Sequence, residues 1–375
     1  MTLGTVAAAI AAATVLGIIA LRPRGEPDAN LRELGIASEV YGAAITSVEV
    51  GPCPGAEEAG GVRCRLVGAR LLQGPDEGRT VTISLSDTPS TPAFEVGEEI
   101  VLAHTPEAQE GFRYQFADRQ RRPVLWILFG LFVLAVTVLG GLRGIAALAG
   151  LGASVVLLIL FVLPSILDGR SPLAVAVVGA SAIAFLALYL AHGFTLMTTV
   201  ALLGTVASLA LTTVLAELFV GVARISGLAT EEATIVQVGA AEIDLAGLIL
   251  GGVVIGALGA IDDMTVTQAS TVWELHGANP RLGKRGLFRS GMRVGRDHVA
   301  STVNTLLLAY AGASMPLLLL FVLSEQSLGT VANSEVVATE IVRTLVGSIG
   351  LVASVPITTW LASWVVGASP APEAA

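Results

Sequence analysis

Between Leu245 and Ile261 the chain carries no charged side chain, and Asp262 and Asp263 follow at once. A run of that length crosses the hydrocarbon core of a bilayer, which takes about 17–25 residues of helix. Lipid offers the backbone no hydrogen-bond partners, so such a run must bond to itself as a helix. The pattern recurs along the chain. Leu3–Leu21 is uncharged, and further apolar segments fall at Val124–Leu142, Ile145–Leu167, Leu173–Leu190, Thr195–Val222, Leu245–Asp263, Val299–Leu323 and Leu345–Val366. The expectation is an α-helical polytopic membrane protein with about eight transmembrane helices. Of the 375 residues 54% are hydrophobic and 14% charged, against about 25% charged in an ordinary soluble protein. A net charge of −9 without a broad basic patch argues against nucleic acid as a partner.

Charges and prolines concentrate in residues 23–122. The chain therefore reads as an N-terminal anchor (1–22), a polar domain (23–122), a seven-helix domain (123–366) and a short tail (367–375). A cleaved signal peptide is the rival for the first segment. It would carry a basic leader and a shorter apolar core, and here only Met1 and Thr2 precede the run. In the polar domain Thr80–Ser86 alternates strictly, with Val81, Ile83 and Leu85 on one face. Val62, Cys64 and Leu66 alternate with Arg63 and Arg65, while Tyr41–Val50 and Glu95–His104 supply two more strands. Four or five short strands within 40–104 suggest a small all-β, OB-like barrel. Cys53 and Cys64 both lie here. A disulfide between them suits an oxidising, extracytoplasmic face; two unlinked thiols are the alternative.

Orientation follows from short basic connections. Arg281, Lys284, Arg285, Arg289, Arg293 and Arg296 make the stretch after Asp263 the most basic short one, which places it in the cytoplasm. Counting back leaves the N-terminus cytoplasmic and residues 23–122 extracytoplasmic. Arg22, Arg24, Arg119, Arg121 and Arg122 pull the other way, but long domains translocate largely regardless of charge.

Ionisable groups at membrane depth are costly and usually face a bundle interior or a water-filled path. Glu217 sits among apolar neighbours on a helix that also carries Thr198, Thr205, Ser208 and Thr212. Asp262 lies about 27 Å along a helix that begins at Leu245, near the cytoplasmic mouth of a pathway. Asp263, Thr267, Ser270 and Glu274 continue at four- and three-residue steps. Such hard oxygen ligands suit a proton or a divalent cation. Gly252, Gly256 and Ala260 form a small-residue ladder that lets a neighbouring backbone approach, and Asp297, Ser301 and Thr305, with Asn304 beside them, could face it. The candidate ion or substrate ligands are therefore Asp262, Asp263, Glu217, Asp297, Thr267 and Asn304. The bland alternatives are an interhelical hydrogen-bond seam around Glu217 and interfacial ion pairs, Asp262 and Asp263 with Arg293 or Arg296 and Glu340 with Arg343. Catalytic signatures are poor. Gly277–Lys284 has five residues between its glycines, and Arg285 stands where a P-loop needs Ser or Thr. No enzyme is expected, with a paired-aspartate membrane hydrolase as the minor alternative.

IDDMTVTQAS after a glycine-rich apolar run, then GMRVGRDHVASTVNTLLLAYAGASMPLLLLF, resembles the YibE/F-like family of bacterial multi-pass membrane proteins. FADRQRRPVLWILFGLFVLAV and VLPSILDGRSPL extend the resemblance over most of residues 115–325. It implies the eight-helix plan, an extracytoplasmic N-terminal domain and a bacterial cell membrane, and it brings no ligand or catalytic residues. Two functional readings stand. One is a secondary transporter or permease for a small solute or ion, coupled to a proton or divalent cation and using no identified cofactor. The other is a non-transporting component whose β domain binds an envelope partner or signals. The lipid bilayer is a partner in both; a homo-oligomer or a related membrane subunit is open in both.

Overall fold

The structure, a computed structural model, describes residues 3–25, 39–53, 63–89, 91–240 and 242–367. Val62, the stretch 26–38 and the tail beyond Gly367 lie outside the described residues. The chain forms two compact units, Asn30–Ala135 and the combination of Met1–Ala29 with Val136–Ala375.

The smaller unit is built on one antiparallel sheet of β1 (Glu39–Pro52), β2 (Arg63–Leu71), β3 (Thr80–Ser86), β4 (Glu99–His104) and β5 (Tyr114–Arg119). The strand order is β3-β2-β1-β4-β5. Long β1 pairs with both β2 and β4 and carries a register shift between Ile45 and Ser47; bulges of this kind bend a strand and let a sheet curl. Ala43, Ile45, Val67, Ala69, Ile100 and Leu102 fill the concave side. Closing the barrel would require a ladder between β3 and β5, and both are edges of the sheet. The expected OB-like barrel is present as a half-barrel sheet. Its fifth strand lies beyond the 40–104 core. The strictly alternating segment is β3 itself, with Ile83 buried and Thr80, Thr82, Ser84 and Ser86 exposed. Cys53 and Cys64 are disulfide-bonded across the end of the β1–β2 hairpin. The Tyr114 hydroxyl on β5 donates to Asp76 Oδ2 at 2.9 Å. Burial, then that bond to a carboxylate, pushes the phenol up to about 12.

The helical elements are α1 (Leu3–Leu21), α2 (Arg122–Leu157), a π-turn at Leu158–Val162, α3 (Leu163–Leu167), α4 (Pro172–His192), α5 (Leu196–Val222), α6 (Glu231–Gly239), α7 (Leu245–Ala278), α8 (Lys284–Ala313), α9 (Met315–Leu323), α10 (Leu328–Asn333) and α11 (Glu335–Val366). Ser171, Thr195 and Asp244 cap α4, α5 and α7 by accepting from the backbone N–H of Ala174, Thr198 and Gly247. Such caps satisfy amide groups that a helix start leaves open. Among the described residues six helices are long and apolar enough to cross a membrane, or seven if bent α8–α9 is one span. The expected count of eight differs because Val124–Leu142 and Ile145–Leu167 fall within one continuous stretch, Arg122–Leu167. That stretch is interrupted at Gly141 (φ 56°, ψ −139°). The Val136 carbonyl oxygen lies against Gly144 there, so the helix axis does not run straight through.

Within this unit the helix ends gather at two levels. Ser226 and Gly227, just after α5, hydrogen-bond Glu335 at the start of α11, and Gly227 also packs on Leu245 at the start of α7. The Arg24 N–H after α1 donates to Asp168 after α3 at 3.2 Å. At the opposite end Thr198 bonds the His192 carbonyl across the α4–α5 turn, and Gly367 packs on Lys284. The core between the two ends is apolar, with Ala180, Leu188, Leu202, Val254, Ile261 and Leu351 essentially inaccessible.

Candidate functional site

A polar stripe runs along the inward face of α7. Asp262, Thr265 and Gln268 succeed one another at three-residue steps; Thr265 and Gln268 are buried and Asp262 is half-buried. On α5, Thr198, Thr205, Ser208 and Thr212 are all buried. Most of these hydroxyls return a bond to their own helix, Thr205 to the Ala201 carbonyl at 3.1 Å and Thr212 to Ser208 at 2.9 Å. Thr205 does more. Its Oγ1 lies 3.3 Å from Asp262 Oδ1 and 2.7 Å from Thr265 Oγ1, while Thr265 Oγ1 also reaches the Asp262 carbonyl at 2.9 Å.

Each hydroxyl owns one proton and can accept as well as donate. With Asp262 ionised, Thr205 donates to the carboxylate. With Asp262 protonated, the carboxyl donates to Thr205, whose proton turns to the Ala201 carbonyl. The same atoms in the same places therefore satisfy either charge state, which an amide or a fixed N–H donor could not do.

α11 closes the site. Thr358 Oγ1 is buried and, among the described residues, without a hydrogen-bond partner, and it packs directly on Gly204 of α5, which has no Cβ to obstruct it. One turn on, Gln268 Nε2 donates to the Gly291 carbonyl of α8 at 2.7 Å and to Thr359 Oγ1 of α11 at 2.8 Å. One side chain thus ties α7 to two neighbours.

Depth follows from packing. Gly251 of α7 meets Pro172 and Ala176 at the start of α4. Asp262 lies eleven residues further along, about 16 Å at a rise of 1.5 Å per residue. α4 has 21 residues, roughly 31 Å by the same rise, so Asp262 stands near its midpoint. On that packing Asp262 lies at mid-depth of the bundle rather than at the cytoplasmic mouth expected from the sequence: α7 begins about two turns before α4 does, and a count from Leu245 overstates the depth.

The other candidates do not join this cluster. Asp263 and Glu274 are exposed, and Thr267 is half-buried. Glu217 is exposed beside Leu218 and Phe219 rather than in line with the buried stripe of α5. Asp297, Ser301, Asn304 and Thr305 are exposed on α8. The ladder of close approach is also displaced. Gly252 and Gly256 face the Arg343 and Tyr310 side chains, whereas Gly251, with Gly247 a turn before it, meets α4. Glu340 and Arg343 form a 2.7 Å ion pair on α11. Sequence reasoning missed Thr265, Gln268, Thr358 and Thr359. The available signal was that Asp262, Thr265 and Gln268 share a helical face. Among the described residues no three His, Cys, Asp or Glu side chains gather closely enough to hold a metal ion.

No curated protein and no solved structure matches the chain. Residues 128–368, which include every residue of the site, match the family described as YibE/F-like protein.

Proposed function

The chain belongs to the YibE/F-like family, and on that premise we propose that it is a membrane permease whose mobile charge is carried at Asp262. The observation that carries the reading is a carboxylate held at mid-depth on the inner face of the bundle by hydroxyls that suit both of its protonation states. Structural polar seams in membrane bundles rarely use a carboxylate, because an ionisable group at that depth is costly. A single inward carboxylate offers one negative charge, which matches one proton or one monovalent cation better than a divalent ion needing six or more oxygens. The partial exposure of Asp262 supports access from one side of the bundle.

Eight crossings support this plan. The six long helices become seven with α8–α9, and the break at Gly141 divides Arg122–Leu167 into two. On this plan six crossings precede the basic α7–α8 connection, so the N-terminus lies on its side, in the cytoplasm by the positive-inside rule. The disulfide-bonded half barrel then lies outside a bacterial cell membrane.

The test is flux into proteoliposomes with an imposed pH gradient, across a panel of monovalent ions and small solutes. Wild-type protein should carry at least one of them. Asp262→Asn should abolish carriage, and Glu217→Gln, on the outer face, should leave it. Unchanged flux in Asp262→Asn would overturn the assignment.

A further inference from the structure

Five cations of the helical unit line one cavity. On α8, Arg285, Arg289, Arg293 and Arg296 recur at steps of four, four and three residues, the spacing of a single helix face. With Lys284 they line a cavity of about 660 Å³ against the last turns of α11. Among the described residues no carboxylate lines it. Among the described residues none of these five cations has an acidic partner within 4.0 Å, whereas Arg170 and Arg343, near the other end of the bundle, are each paired. Basic residues at a cytoplasmic helix end are expected for topology alone. That rule asks for charge in a connection, not for charge along one helix face turned to a pocket.

The rest of the lining points to the kind of ligand. Trp360 and Trp364 stand one turn apart on α11, 59% and 54% exposed, and the Lys284 ammonium lies 5.2 Å from the centre of the Trp364 ring. Phe288 and Met292 supply apolar wall between the arginines. Between the two tryptophans Ser363 also lines the cavity. It is 3% exposed, and among the described residues its Oγ has no hydrogen-bond partner. Such a hydroxyl can donate to an acceptor that enters the cavity. Guanidinium forks match phosphate oxygens. Indole rings favour the boundary between headgroups and acyl chains.

We propose that this groove binds a phosphate group carried by an anionic phospholipid of the adjoining leaflet. The arginines engage the phosphate oxygens, Ser363 donates to one of them, and the acyl chains run along Phe288, Met292 and the tryptophans. The site is separate from the Asp262 cluster and does not depend on the transport reading.

The test uses delipidated full-length protein in detergent, titrated with phosphatidylglycerol and with phosphatidylcholine and read by native mass spectrometry. Wild type should hold phosphatidylglycerol at least about tenfold more tightly than phosphatidylcholine, a factor that one or two charge-assisted contacts supply. Arg289→Gln/Arg293→Gln should lose the preference. Arg281→Gln, whose side chain does not line the cavity, should keep it. Ser363→Ala should weaken phosphatidylglycerol without lowering the unfolding temperature, because removing an unpartnered hydroxyl leaves nothing newly unsatisfied. Competition by millimolar inorganic phosphate would support the phosphate site and assign it to a soluble ligand instead. Equal binding of both lipids with no effect of phosphate, or full retention of the preference in the double arginine variant, would overturn the proposal.

Discussion

Replacing Gln268 measures how the site is held together. Its side-chain nitrogen makes two bonds to different helices, at 2.7 and 2.8 Å. Leu has nearly the same volume and neither bond. Its partners survive the loss: the Gly291 carbonyl lies within α8, and Thr359 Oγ1 still donates to the Val355 carbonyl at 2.6 Å. The cost of Gln268→Leu is therefore that of two neutral hydrogen bonds. Polar contacts between membrane helices average about 0.6 kcal/mol and reach about 1.7, so the expected loss is about 1–2 kcal/mol. Gln268→Ala adds a cavity in a tightly packed place, where Gly291 and Gly295 of α8 crowd the amide. Large-to-small core changes cost about 2–5 kcal/mol, and Ala should fall clearly below Leu. Reversible unfolding in mixed micelles, followed by circular dichroism, gives both values. A double-mutant cycle with Thr359→Val isolates the α7–α11 bond and should return a coupling of about 0.6 kcal/mol or more. Equal stability of Leu and wild type together with zero coupling would refute the role given to Gln268.

Two further outcomes follow from the packing and from the half barrel. Gly204→Ala drives a methyl group into Thr358 Oγ1 and should cost about 1–3 kcal/mol as overpacking; adding Thr358→Ala removes the obstructing hydroxyl and should restore most of the loss in the same unfolding assay. The tyrosinate absorbance of wild type minus that of Tyr114→Phe should titrate near pH 12. Because the folded value lies above the unfolded one, the stabilisation from this phenol is intact below about pH 10 and fades as the pH rises toward 12. A difference titration centred near pH 10 would contradict the burial and the Asp76 bond.

Much of the fold was legible, because lipid and sheet each impose a strict pattern. Apolar runs marked α1, α4 and α5 within a few residues and the start of α7, which continues well past the expected end at Asp263 to Ala278, and strict alternation marked β3. The short segment Tyr114–Arg119 was not legible, since YQFADR inserts Ala and Asp after only two inward aromatics. The face of α7 was harder for a different reason. In a soluble helix polar residues turn outward, so periodicity names the face. In α7 polar residues line the interior and also extend past the membrane, and both Asp263–Thr267–Ser270 and Asp262–Thr265–Gln268 fit helical spacing. Only the neighbours decide, because Thr205 and Thr359 meet the second set. Glu217 was misplaced for a related reason. Five residues beyond Thr212 is about 140° further round the helix, well off the buried stripe that Thr212 ends.

The most direct test of the Asp262 assignment is thermal unfolding of the purified protein across a panel of monovalent ions, small solutes and pH, for wild type beside Asp262→Asn. A ligand that binds only the folded state stabilises it by about 2.7 kcal/mol at a hundredfold excess over its dissociation constant. The account predicts a saturable upward shift for at least one ligand in wild type and its loss in Asp262→Asn. A shift retained undiminished in Asp262→Asn, or no shift for any ligand at any pH, would contradict it.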